Sequence, residues 1–149
     1  MLRGIILIVA LGASACGNKV HRVYAEETLR DAAFEAADAW DAKLRSTCPE
    51  VGIAVVLTRG EADIVVREAP VSPEGWTYDG RITIDPSVRA QKPDALAALI
   101  GHELGHALGA DHTDDPADLM FEELDPQRSA APTVADVHQV CAFYGAGAP

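Results

Sequence analysis

Leu29, Ala33, Ala36, Trp40 and Leu44 recur at intervals of three and four residues, while Glu27, Arg30, Asp31, Glu35, Asp38 and Asp41 fall mostly between them. That period puts the apolar set on one face and predicts an amphipathic helix over 26–45, stopped by Pro49 soon after Cys48. The pattern then changes to β-branched runs. Residues 52–58 and 62–67 read as two strands joined by a tight connection at Arg59-Gly60-Glu61. Residues 76–78 and 81–84 flank Asp79-Gly80, a pair suited to positive backbone angles, and predict a hairpin ended by Asp85-Pro86. A long helix is predicted over 94–108, closed by Gly109. Residues 111–133 are polar and broken by prolines, and read mostly as loop. A last helix is expected over 134–144, capped by Thr133 with Asp136 in its first turn.

A chain of 149 residues suits one core. The order of elements predicts an α+β domain: a small twisted mixed sheet, a first helix packed against it, a long second helix and a C-terminal helix. Aromatics make up only 5%, so the core must rest on Ala, Leu, Ile and Val. Residues 1–15 stand apart from it. Met-Leu-Arg, an apolar run from Gly4 to Gly12 and Ala13-Ser14-Ala15 follow the order of a secretory signal. The run is about half the ~20 apolar residues that a membrane-spanning helix needs.

Two cleavage readings meet at one bond. Ala13-Ser14-Ala15 fits ordinary secretion, and with Cys16 it resembles a bacterial lipoprotein signal. Cysteine parity favours the second. The cysteines are Cys16, Cys48 and Cys141. With lipid on Cys16, Cys48 and Cys141 can pair in an oxidising compartment; without it, one thiol is left over. A Cys48–Cys141 disulfide is therefore favoured over two buried thiols. Residues 16–25, His21 among them, read as a lipid-anchored tether, leaving 26–149 as the folded domain. Gly17, rather than Asp, follows the cysteine. By resemblance to Gram-negative lipoproteins, this points to export into the bacterial cell envelope and anchoring at the outer membrane.

The formal net charge is −11. Arg3 is the single charge in residues 1–15, so the remainder carries 11 basic and 23 acidic side chains, a net of −12. That sign repels phosphate backbones and anionic lipid headgroups, and no basic run interleaved with aromatics occurs, so nucleic acid is not an expected partner.

The chemistry concentrates in His102-Glu103-Leu104-Gly105-His106-Ala107-Leu108-Gly109-Ala110-Asp111-His112. On a helix, positions four apart share a face, so His102 and His106 can reach one metal ion. Glu103 falls beside that ion, where a general base toward water belongs. Gly109 permits a sharp exit that returns His112 as a third ligand. Three protein ligands leave one tetrahedral position open, as in catalytic rather than structural zinc sites. Zinc is the expected cofactor, although three-histidine sites also accept other divalent metals. His138 has no such partners and reads as an ordinary position on the last helix. Asp111, Asp114, Asp115 and Asp118 cluster near His112 and could bind calcium, but their spacing matches no EF-hand loop; a solvated acidic loop is the favoured reading and calcium is not predicted.

This segment resembles the extended zinc motif of metzincin metallopeptidases at every fixed position. Met120 resembles the methionine that metzincins carry in a turn beneath the ligands. Thr113 after the third histidine, Ala39-Trp40 in the first helix and Gly60-Glu61-Ala62-Asp63-Ile64 are most similar to matrixins. The resemblance covers most of residues 26–145, with 102–120 the most specific part. It implies a metzincin-like fold and a zinc-dependent endopeptidase acting on proteins or peptides. His102, His106 and His112 would hold the metal, Glu103 would act as base and acid, and Gly109 and Met120 would support the site. Glu122 departs from the proline usual after the methionine turn. No propeptide of the cysteine-switch kind is present, and the strand that usually precedes the first helix reads as missing or short. The competing reading is a non-catalytic zinc-binding lipoprotein that recognises a partner through the same cleft, its site closed by an Asp of the 111–118 loop.

Overall fold

In the computed structural model, which describes residues 18–146 except 73, 124 and 126, five strands form one sheet in the order β2-β1-β3-β5-β4. The strands are β1 (Lys19–Ala25), β2 (Val51–Val55), β3 (Ile64–Glu68), β4 (Gly75–Tyr78) and β5 (Arg81–Ile84). All neighbours are parallel except β4, which pairs antiparallel with β5 at one edge. Helices α1 (Arg30–Thr47), α2 (Pro86–Gln91), α3 (Leu96–Ala107) and α4 (Val134–Phe143) complete the expected α+β architecture.

Strand β1 corrects the tether expected over 16–25. His21, Val23 and Ala25 are buried while Val20 and Arg22 are exposed, the alternation of a half-buried strand. A histidine in an inward position, between a lysine and an arginine, disguised that period. β1 lies between β2 and β3, so a domain starting at residue 26 would have its sheet cut in two. The strand before the first helix is thus present. His21 belongs to the core, its ring 5.3 Å from that of Tyr144. Burial, helped by Lys19, lowers its pKa and keeps it neutral at physiological pH. The expected signal at 1–15 and Cys16 lie outside the described residues.

The link between β2 and β3 is a second correction. These strands do not pair as neighbours; both run parallel to β1, on opposite sides of it. Their registers are staggered: Val55 at the end of β2 and Ile64 at the start of β3 both lie beside Val23. A short segment with one 3-10 turn at Arg59–Glu61 can therefore step across β1 without running back along it. Arg22 anchors the landing point through two bonds to Asp63, at 3.0 and 3.1 Å. Helix α2 was not expected. Asp85-Pro86 ends the hairpin but also opens this helix, Asp85 accepting the Ser87 N–H at 2.9 Å with Pro86 in the first turn.

The core lies between the sheet and α1 and α3. The predicted face of α1 is the buried one, with Ala33, Ala36, Trp40 and Leu44 inside. Trp40 donates its indole N–H to the Gly101 carbonyl at 2.8 Å, pinning α3 against α1. Cys48 and Cys141 form the expected disulfide, which ties the end of α1 to α4 across 93 residues. Its main effect is to restrict the unfolded chain. Replacing both cysteines with serine is expected to lower the unfolding free energy by about 2–4 kcal/mol. A denaturant titration checks this, and an unchanged midpoint would mean that the bond contributes nothing.

Candidate metal centre

Two turns of α3 and the segment after it bring three imidazoles together. The Nε2 atoms of His102 and His106 are 3.1 Å apart, those of His106 and His112 3.1 Å, and those of His102 and His112 3.2 Å. The return of His112 uses Gly109, whose φ of 96° is closed to most side chains. Gly109 is also crowded: a Cβ there would meet the Phe143 ring at 2.5 Å. His102 donates from Nδ1 to the Leu119 carbonyl at 2.9 Å, and His106 from Nδ1 to the Ala110 carbonyl at 2.8 Å. Both bonds leave the Nε2 lone pairs aimed at the common centre. Burial lowers the His102 pKa to about 4, with His106, His112 and Arg128 adding to the effect, so the ring is neutral as a ligand must be.

Three lone pairs this close repel one another unless a cation lies between them. Their spacing is near the edge of about 3.3–3.4 Å that follows for a tetrahedral zinc ion with Zn–N bonds of about 2.0–2.1 Å. Donor type, tautomer and spacing all fit zinc. Among the described residues these three side chains are the one group that could hold a metal ion in this way. Asp111, Asp114, Asp115 and Asp118 are not part of it.

Glu103 is buried beside the histidines. Its carboxylate accepts a short hydrogen bond from the Thr77 hydroxyl on β4. Burial pushes its pKa up, opposed by the Thr77 bond and by His106 and His112. Gly75 makes room for it, since a Cβ there would lie 2.9 Å from Glu103 Oε1. Neither Thr77 nor Gly75 was expected at the site; Gly75 reads as a loop residue in the sequence and instead opens β4. The edge strand that carries them borders an open cleft of about 540 Å3, which the three histidines, Leu99 and Leu119 also line. Glu122 lies on its wall.

Met120 is fully buried under α3, its sulfur against Gly105, where a Cβ would come within 2.2 Å of it. The Thr113 N–H donates to the Met120 carbonyl at 3.0 Å, closing the segment after His112. Asp136 governs this turn. It is fully buried and accepts the backbone N–H groups of Leu119 at 3.0 Å, Met120 at 3.1 Å and Thr133 at 2.7 Å. Thr133 and Asp136 form the capping box of α4. The cap was legible in the sequence, but its hold on the methionine turn was not. His138 is exposed on α4, as expected.

Comparison with known protein families matches residues 17–145 to the matrixins, a peptidase family. No curated protein matches the sequence. The matched segment begins ahead of β1 and runs through α4, so the likeness is to the whole domain and not to a short metal motif. The chain belongs to the matrixin family.

Proposed function

We propose that the chain is a zinc-dependent endopeptidase that hydrolyses peptide bonds in proteins or peptides. Glu103 carries this reading: a buried carboxylate, held by Thr77, faces the open cleft beside three converging imidazoles. Zinc bound by His102, His106 and His112 supplies Lewis acidity and lowers the pKa of water toward about 7. Glu103 takes the proton of the attacking water and returns it to the leaving amine. The outer edge of β4 offers unpaired backbone groups along which an extended peptide can lie. The competing closed site would need an acidic fourth ligand from the 111–118 loop. Asp118 is instead committed to the Thr133 hydroxyl at 2.6 Å.

The test is cleavage of an unfolded protein by the chain from Gly17, which keeps every described element. Activity is expected, with loss on chelation and recovery on adding zinc. A folded, zinc-loaded protein that cuts no unfolded substrate would overturn the reading.

We further propose export and lipid modification at Cys16. With Cys48 paired to Cys141, Cys16 is the remaining cysteine, as a lipid-bearing residue would be. Cells fed radiolabelled palmitate are expected to label the parent chain in the envelope fraction and not a Cys16→Ser chain. Equal labelling of the two removes Cys16 as the attachment point.

A further inference from the structure

The sheet has a second face, on which Val20, Arg22, Trp76, Tyr78 and Arg81 are exposed, Tyr24, Val65 and Arg67 are partly buried and Thr83 is buried. Strand register sets Tyr24, Val65, Arg81 and Tyr78 side by side across four strands. Arg67, Thr83 and Trp76 form the next row. Arg22 and Val20 continue the same face along β1, since side chains two apart on a strand point the same way.

The charge of this face runs against that of the chain. The chain has 23 acidic and 12 basic residues, yet the outward positions of these strands hold three arginines and no carboxylate. Arg22 is paired with Asp63 at the margin. Arg67 and Arg81 have no carboxylate within salt-bridge distance among the described residues. The Arg67 Nε donates to Thr83 Oγ1 at 3.3 Å, between Arg67 and Trp76 in the row. At physiological salt, charges more than about 8 Å away are largely screened, so an approaching surface feels this face and not the net charge.

Trp76 and Tyr78 decide what kind of anion fits. They are 50% and 65% exposed, and their rings stack on each other at 5.5 Å and 15°. Each ring has thus given one face to its neighbour, which disfavours a platform for stacked bases. Together they form an apolar pair with polar tips at the edge of the face that carries Arg67 and Arg81. Trp and Tyr favour the headgroup level of a bilayer, and the guanidinium fork binds phosphate. We infer that this face docks on an anionic bilayer, with Trp76 and Tyr78 in the headgroup layer and Arg67 and Arg81 on lipid phosphates. Because β4 also borders the cleft, docking would hold the cleft at the membrane surface. The inference goes beyond the peptidase reading and does not depend on it.

The test is flotation of the chain from Gly17 with vesicles of phosphatidylglycerol and phosphatidylethanolamine, or of phosphatidylcholine alone. Binding is expected to the anionic vesicles, to weaken with salt and to be absent from phosphatidylcholine. Arg67→Gln with Arg81→Gln is expected to lower the partition coefficient about 30-fold. Trp fluorescence should shift to the blue on binding, and not in Trp76→Phe, where buried Trp40 alone reports. Thermal unfolding of each variant, matched to the parent, excludes misfolding as the cause. Glu103→Gln should bind as the parent does, so the result stands whether or not the chain cuts peptides. No binding to anionic vesicles at low salt, or equal binding by the double arginine variant, overturns the inference. Capture of single-stranded DNA in place of vesicles also overturns it, in favour of a nucleic-acid surface.

Discussion

Glu103→Gln is expected to lower kcat/KM on protein substrates by about 10²–10⁴-fold while the protein keeps one zinc ion per chain. The substitution keeps size and shape, so the amide fits beside Gly75 and its oxygen can still accept the Thr77 hydroxyl. What it removes is the capacity to accept a proton and return it. Metal retention follows from the separation of roles: the three Nε2 atoms converge without Glu103, and His102 and His106 are oriented by the Leu119 and Ala110 carbonyls. Initial rates measured together with metal content distinguish the outcomes. Parent-like rates would remove Glu103 from the chemistry. Loss of zinc along with activity would make it a support of the site instead of its base.

Asp136→Asn is expected to cost about 3–5 kcal/mol of stability and to weaken zinc binding by about 10–100-fold. Three backbone N–H groups converge on the two oxygens of this buried carboxylate. An amide turns one oxygen into a donor that must face another donor. The damage reaches the metal because Leu119, whose N–H is held by Asp136, presents its carbonyl to His102 Nδ1. A shift of that peptide releases the ring that it orients. Denaturant unfolding and a zinc competition titration read the two effects separately. A variant within about 1 kcal/mol of the parent would show that the turn holds its shape without the carboxylate.

The two residues differ in how far they could be read beforehand. Glu103 stands next to His102, and its proposed role is readable from the motif and its helical spacing. Asp136 showed itself only as a first-turn acid of a capped helix, because its bonds to Leu119 and Met120 cross 17 and 16 residues of loop. Thr77 left no signal at all, since it meets Glu103 from 26 residues away through the packing of β4 on α3. The arginine and aromatic face was equally hidden. Its residues are scattered from Arg22 to Arg81, and only strand register makes them neighbours.

What local geometry encodes is legible along the chain. The apolar face of α1, the β4–β5 hairpin, the cap of α4 and the three converging histidines lie within short segments, where a period of two or 3.6, a glycine or a proline dictates the backbone. Cysteine parity likewise pointed to the Cys48–Cys141 pair. Tertiary structure alone decided the rest: that Lys19–Ala25 is an inner strand and not a tether, that β2 and β3 lie on either side of it, and that β4 is the edge beside the cleft. Those outcomes depend on which strands pair and in what register. The free energy of pairing comes from partners distant in the chain, and the spacing of residues along one segment carries no record of them.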